Sequence, residues 1–351
     1  MLDVAIFVLG ALVAWGLVWA IRHWAPQLGL IHAPNQRSIH RQPTPRGGGA
    51  AIVIVSLGGI AIAAAAGLRP TWPVVAGYVA GGLLIAGVSW VDDVRSVPSG
   101  VRLAVHALAA TLMLAGLGVQ SESQAIFGRA DLGWLVVTTG LLWTIGLTNA
   151  YNFMDGIDGL AGVQGIVAGL GWVLLASLSG QPWIALLALL VSAGCAGFLA
   201  HNWPPASVFM GDVGSAFLGF TFAFVALAAS KQSADVAIAG ALLLWPFIFD
   251  ATFTMLRRLT RGENIFVPHR SHLYQRLVLA GWQQASVTSL YFAMAAVGVG
   301  LAAIWWITGW ANFGYIEVAV LCLLSPLLWA VVIRAERLRI RPADVRPLLG
   351  R

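Results

Sequence analysis

The feature that most constrains this chain is its series of apolar runs, each about 17 to 23 residues long and divided by short polar stretches. A helix of about 20 apolar residues crosses a hydrocarbon core, and a backbone surrounded by lipid must bond to itself. Hydrophobic residues make up 59% of the 351 positions and charged residues only 10%, which excludes an ordinary soluble protein. The sequence predicts an all-α polytopic integral membrane protein with eleven spans, near 2–21, 49–66, 73–91, 103–119, 132–149, 160–178, 183–200, 214–230, 236–256, 285–307 and 315–333. Residues 1–351 read as one transmembrane domain that ends in a basic tail over 334–351. Cys195 and Cys322 lie far apart inside apolar runs, which suits packing and not a disulfide or metal site. The run from Leu2 to Ile21 has no basic stretch before it and Arg22 directly after it, so it reads as a retained helix and not a cleaved signal peptide.

Basic residues collect in cytoplasmic loops, which orients the chain. With the N-terminus outside, the inner loops hold Arg22, Arg37, Arg41, Arg46, Arg95, Arg102, Arg257, Arg258, Arg261, Arg270 and Arg276. The tail adds Arg334, Arg337, Arg339, Arg341, Arg346 and Arg351. Only Arg69, Arg129 and Lys231 of the 20 basic residues then fall outside. The net charge of +6 comes from these arginines and suits anionic lipid, and no recognition fold points to nucleic acid. Tryptophans near span ends, such as Trp24, Trp72 and Trp310, fit interfacial anchoring.

Five of the 14 acidic residues sit at inner span ends. Asp92 and Asp93 close span 3 in SWVDDVRSVPSGVRL, where adjacent carboxylates repel unless they share a cation or proton. Asp155 and Asp158 lie in NAYNFMDGIDGLAG, on one helical face behind Asn152. One acid could cap the helix there, but capping does not account for two acids and two asparagines. Gly156, Gly159, Gly162 and Gly165 form a ridge that serves close helix packing, or, at its first two positions, backbone approach to a phosphate. Asp212 lies in HNWPPASVFMGDVGSAF, between Gly211 and Gly214. A lone loop acid is usually solvated, whereas three acidic sites on one membrane face suit Mg²⁺, which takes one or two carboxylates plus substrate phosphate oxygens.

The segment RRLTRGENIFVPHRSHLYQRL carries His269, Arg270 and His272. A zinc pair there would lack further ligands, and an ordinary basic loop is the plain alternative. Arginine between two histidines suits a diphosphate better. Metal-binding acids together with phosphate-binding bases suggest phosphoryl chemistry at the membrane surface.

NFMDGIDGLAG, VFMGDVGS, the VDD that ends span 3 and the PHRSH segment together resemble the polyprenyl-phosphate N-acetylhexosamine-1-phosphate transferases, glycosyltransferase family 4. The resemblance covers about residues 30 to 285 in order and spacing. It implies transfer of a sugar 1-phosphate from a UDP-N-acetyl sugar to a polyprenyl phosphate such as undecaprenyl phosphate, releasing UMP, with Mg²⁺ or Mn²⁺. It assigns Asp92, Asp93 and Asp155 to catalysis and Asp212 with Asp93 to the metal. Asn152, Asp158, Asn202, Phe209, His269, Arg270 and His272 are assigned to substrate, with Phe209 stacking on uracil and Asp158 at its polar edge. The family's peptidoglycan translocase has three consecutive histidines where this chain has His269, Arg270, Ser271 and His272, which argues against a muramoyl-pentapeptide substrate. The extra span and PHRSH look most like common-antigen and O-antigen initiating members, the latter with 6-deoxy sugars such as N-acetylfucosamine or N-acetylquinovosamine. A bacterial inner-membrane location follows, and a homodimer is the oligomer considered.

The competing class is a transporter or flippase of lipid-linked or anionic substrates. Transporters hold their ionisable residues near the midplane. Here only Asp250 lies well inside a span, where it reads as a packing or ion-pair residue. A reporter fused after Arg351 tests the orientation: it should be active only as a cytoplasmic reporter, and activity only outside the inner membrane would overturn the eleven-span topology.

Overall fold

The computed structural model describes residues 1–32, 43–118, 133–232, 234–264, 267, 269–308 and 310–340. Arg37, Arg41, Arg129, Arg341, Arg346 and Arg351 of the charge count lie outside the described residues. Numbered over the described residues, the helices are α1 (Leu2–Trp24), α2 (Ala50–Ala65), α3 (Trp72–Val94), α4 (Ser99–Leu117), α5 (Gly133–Phe153), α6 (Leu160–Leu178) and α7 (Pro182–Asn202). They continue with α8 (Asp212–Ser230), α9 (Ala234–Leu242), α10 (Trp245–Thr260), α11 (Leu273–Leu279), α12 (Gln284–Thr308) and α13 (Trp310–Ile340). Two short antiparallel strands, β1 (Ile31–His32) and β2 (Thr44–Pro45), pair Ile31 with Pro45 and His32 with Thr44.

The all-α membrane class holds, while the count of eleven spans is not confirmed among the described residues. Among the described residues eight helices are long and apolar enough to cross a membrane, or nine with the bent pair α9–α10 taken as one. The short member is α2, with 16 residues. Helix α5 has 21 residues, but its threonines and asparagines leave it less apolar than the other long helices. The span expected over 236–256 is not continuous: α9 and α10 meet at 75°. Pro246 in the first turn of α10 cannot supply the N–H that would carry the upstream helix through. The polar groups at this break find partners inside the protein, as lipid requires: Gln164 Nε2 donates to the Leu243 carbonyl at 2.8 Å and Trp245 Nε1 to the Met294 carbonyl at 2.9 Å.

Helix α8 is the centre of the bundle. Its apolar window is 89% buried, against 17% for α1 and for Ala319–Arg339 of α13. Phe217, Phe220, Phe222 and Phe224 are all buried, because a helix enclosed by other helices is apolar all round. Helices α3 and α5 lie against it, while α1 lies against α7 at the rim. The N-terminus of α8 meets the start of α2 backbone to backbone: a Cβ on Gly49 would fall within van der Waals collision of the Gly214 Cα and N atoms. Small residues allow that approach where lipid offers no hydrophobic drive between helices. Gly162 and Gly165 likewise face Leu199, Phe198 and Cys195 of α7, so the inner half of the glycine ridge serves packing. Cys195 and Cys322 are both free thiols.

Candidate active site

At the C-terminus of α3, Asp92 and Asp93 point to different partners. Asp92 accepts the Val97 N–H at 2.6 Å, which closes the turn into α4, and its other oxygen receives Arg102 Nη1 at 2.7 Å. The same Arg102 nitrogen reaches Asp212 Oδ2 at 3.2 Å, so one guanidinium joins the ends of α3, α4 and α8. The Asp93 side chain is fully buried and sits on the N-terminus of α8. Its oxygens accept the N–H groups of Asp212 at 3.0 Å and Val213 at 3.1 Å, and Arg46 lies 3.2 Å away. A carboxylate there satisfies donors that the helix cannot pair itself and lies at the positive end of its dipole. Gly211 has φ +77° and a Cβ on it would lie 2.5 Å from Asp93 Oδ2, so conformation and space both require glycine.

Arg46 is held by the chain around it. Phe209 N–H donates to the Pro45 carbonyl at 2.8 Å, and Gly48 and Gly49 donate to the Phe209 and Met210 carbonyls at 3.0 and 2.9 Å. This ladder docks the segment after β2 on the loop before α8 and leaves the Phe209 side chain half-buried. Asn152, at the end of α5, accepts from Ser215 Oγ at 3.1 Å, which brings the NAYNFMDG segment to the same end of the bundle.

Asp155 lies half-buried in the loop after α5. Burial first, then the carboxylates of Asp212 and Asp93, push its carboxyl up to about 8 from the ordinary 3.8. Asp92, Asp93, Asp155 and Asp212 set four carboxyl groups against the two guanidiniums of Arg46 and Arg102 at one helix-end cluster. Among the described residues no three His, Cys, Asp or Glu side chains form a ready cation cage. The donors gathered here are carboxylate oxygens, the ligand type that hard cations such as Mg²⁺ take.

Asp158 and Asn202 are brought together with the same loops, but as their fasteners. Asp158 Oδ2 accepts the Ala206 N–H at 2.9 Å, while its backbone bonds Gln284 Oε1 and Thr288 Oγ1. Asn202 accepts the Gly159 N–H at 2.9 Å and donates to the Val208 carbonyl at 2.8 Å. Both residues are 4% exposed, so they shape the loops that carry Phe209 and Asp212.

The His-Arg-His segment is split by the fold. His272 is buried and forms the N-cap of α11, where Gln275 answers it in a capping box. Its Nδ1 lies 3.3 Å from Asp250 Oδ1. Asp250, fully buried, also accepts the N–H groups of Leu273 and Tyr274 at 2.8 and 3.1 Å, Tyr291 Oη at 2.6 Å and Thr254 Oγ1 at 3.1 Å. Asp250 is thus an internal anchor for α11, in line with its reading as a packing or ion-pair residue. His269 and Arg270 remain half-buried at the edge. Burial, then His272 and Arg258, hold the His269 imidazole down at about 4, so it is neutral near pH 7. Its Nδ1 accepts from Ser271 N at 3.3 Å, with Ser271 Oγ also 2.8 Å away, which puts the proton on Nε2 as a donor. Tyr274 Oη donates to the Phe153 carbonyl at 2.9 Å, which ties α11 to the segment that carries Asp155.

Arg46 and Arg102 are the partners that sequence reasoning missed, having counted them only as topogenic charge. Ten positions from Asp92, Arg102 falls in the first turn of the next helix, and that spacing was the available signal.

Comparison with known proteins identifies the family. A family model described as Glycosyl transferase family 4 matches residues 75–230, from α3 to the end of α8. A Bacillus subtilis protein named "Probable undecaprenyl-phosphate N-acetylglucosaminyl 1-phosphate transferase" is 30% identical over 86% of this chain and 86% of its own. A Mycobacterium tuberculosis "Decaprenyl-phosphate N-acetylglucosaminephosphotransferase" is 28% identical over 91% and 87%, and a Synechococcus "Phospho-N-acetylmuramoyl-pentapeptide-transferase" 31% over 83% and 87%. The chain belongs to glycosyl transferase family 4 and is a multi-pass membrane enzyme of the sugar-phosphate transferase class.

The raised Asp155 carboxyl has a measurable consequence. Its folded form keeps a proton that the unfolded chain releases, so without a divalent cation stability should fall as pH rises from about 4 through about 8. Mg²⁺ at 100 times its Kd should return about 2.7 kcal/mol. Melting in detergent should show a larger Mg²⁺-induced rise at pH 8 than at pH 5, and no rise at pH 8 would remove the cation from this cluster.

Proposed function

We propose that the protein transfers an N-acetylhexosamine 1-phosphate from a UDP-sugar to a polyprenyl phosphate, undecaprenyl phosphate in bacteria, and releases UMP. The observation that carries this reading is the joining of Asp92, Asp93 and Asp212 by Arg46 and Arg102 at one end of the bundle, with Asp155 beside them. The relatives' names supply the substrates: an acceptor that is a polyprenyl phosphate and a donor that delivers a sugar phosphate.

In the proposed reaction a lipid phosphate oxygen attacks the sugar-side phosphorus of the donor. The bond from that phosphorus to the bridging oxygen breaks, and the oxygen leaves with UMP. Mg²⁺, when bound, would neutralise charge on the diphosphate. Asp212 and Asp92, both facing Arg102, are the carboxylates best placed to hold it. The two oxygens of Asp93, which the sequence put on the metal, already accept two backbone N–H groups, so its part is to fix the start of α8. Arg46 and Arg102 would face phosphate oxygens, His269 Nε2–H and Arg270 the diphosphate, and Phe209 the base. A lipid phosphate with its second pKa near 6 is largely dianionic at pH 7 and needs little help from a base. Asp155, which holds its own proton near pH 7 when no cation is bound, would take the residual proton only where bound Mg²⁺ and the arginines draw its carboxyl back down.

The active face is proposed to be cytoplasmic, with the N-terminus outside, on the arginine distribution. The PHRSH segment supports a product that starts a surface glycan of the O-antigen kind. The transporter reading loses its midplane candidate, because Asp250 is fully engaged in holding α11. The test is UMP release by purified protein given undecaprenyl phosphate, Mg²⁺ and each of UDP-N-acetylglucosamine, its 6-deoxy analogues and UDP-N-acetylmuramoyl-pentapeptide. An N-acetylhexosamine donor should yield UMP and a lipid diphosphate sugar, the pentapeptide donor should not, and Asp212→Asn should lower turnover by about 10²-fold or more while still inserting. Absence of UMP with every donor, or near-normal turnover in Asp212→Asn, would refute the reading.

A further inference from the structure

Helix α13 lies beyond the residues matched by the family model, yet its inner end is locked to the element that carries the His-Arg segment. Glu336 binds Arg276 of α11 through two parallel bonds, Nε to Oε1 at 2.8 Å and Nη2 to Oε2 at 2.7 Å. Arg276 also lies over the Trp329 ring, 4.6 Å from its centre, and Arg257 of α10 lies 5.4 Å from the same ring. Arg257 in turn donates to the Ser271 carbonyl at 3.2 Å, inside the segment itself. Phe253 completes the contact, its ring 5.0 Å from Trp329.

Helix α11 has seven residues, too few to persist on its own. Asp250 and His272 hold its first turn from inside the protein, and Arg276 is its last-turn attachment. Residues 269–272 are thus suspended between an internal anchor and α13. Glu336 is the lone acid between Arg334, Arg337 and Arg339, so the topogenic charge of this tail does not explain it. A paired fork of charge-assisted bonds, with the guanidinium flat on an indole, fixes direction as well as distance.

We propose that α13 is a clamp, with Glu336 and Trp329 as positioning residues that hold α11 so that His269 and Arg270 meet the donor diphosphate. The proposal rests on the reading that those two side chains face the donor.

Two measurements on the full chain test it: hydrogen exchange of the amides of 269–279, and the KM-against-kcat split for UDP-sugar and for polyprenyl phosphate. In Glu336→Gln the exchange should quicken, and the KM for UDP-sugar should rise about tenfold, equivalent to about 1.4 kcal/mol. kcat and the KM for the lipid should change little, and Trp329→Leu should act in the same direction. Arg276→Glu should be worse, and the exchanged pair Arg276→Glu with Glu336→Arg should recover most of the donor affinity, which a defect of general folding would not. Unchanged exchange in Glu336→Gln overturns the clamp. So does quickened exchange with an unchanged donor KM while Arg270→Ala raises it. If Arg270→Ala itself leaves the donor KM unchanged, the donor-facing reading of the segment fails and the proposal falls with it.

Discussion

The rest of the site depends on one buried carboxylate. Asp93 sits on the first two N–H groups of α8 and beside Arg46, so it fixes where the central helix begins relative to α3 and to the strand that precedes α2. A buried unpaired charge would be costly. This one is matched by two backbone donors, a guanidinium and a helix dipole, and it can be matched only with Gly211 in its left-handed conformation. Asp212, the next residue, is thereby turned toward Arg102 and Asp92.

Around this joint the protein gathers more carboxyl groups than guanidiniums, at helix ends that are otherwise held by backbone bonds. Asp158, Asn202 and His272 lock loops, while Asp92, Asp155, Asp212, His269 and Arg270 keep at least partial exposure. The division is between side chains whose polar atoms are committed to the fold and those that can exchange a protein partner for a phosphate or a cation. The break between α9 and α10 belongs to the same design, since it turns α10 so that Asp250 receives the start of α11.

Much of this was legible in the residues. Long apolar runs specify a helical membrane protein, and acids confined to run ends meet at one end of the bundle. Asp92, Asp93, Asp155 and Asp212 could be picked out because a charge near lipid has few structural uses. What could not be read was pairing across helices. Arg46 and Arg102 look like every other inner arginine until α3, α4 and α8 are brought together. Asp250 and His272 are 22 positions apart, and nothing local shows that one would cap the helix begun by the other. The break at Pro246 escaped a reading based on run length, because hydropathy averages over a turn that a single proline can interrupt. In the glycine series, Gly156 and Gly159 look like Gly162 and Gly165 in sequence, yet Gly159 adopts φ +78° and Gly165 packs against Cys195.

The central claim is that Asp92 and Asp212 hold one cation against the donor's phosphates. Electron paramagnetic resonance of Mn²⁺, with ³¹P electron-nuclear double resonance after addition of UDP, tests it most directly. The account predicts one tightly held Mn²⁺ per chain that gains a resolved ³¹P coupling with UDP, and that is lost in Asp212→Asn. A Mn²⁺ bound equally well by Asp212→Asn, or one that never couples to phosphorus, would contradict it.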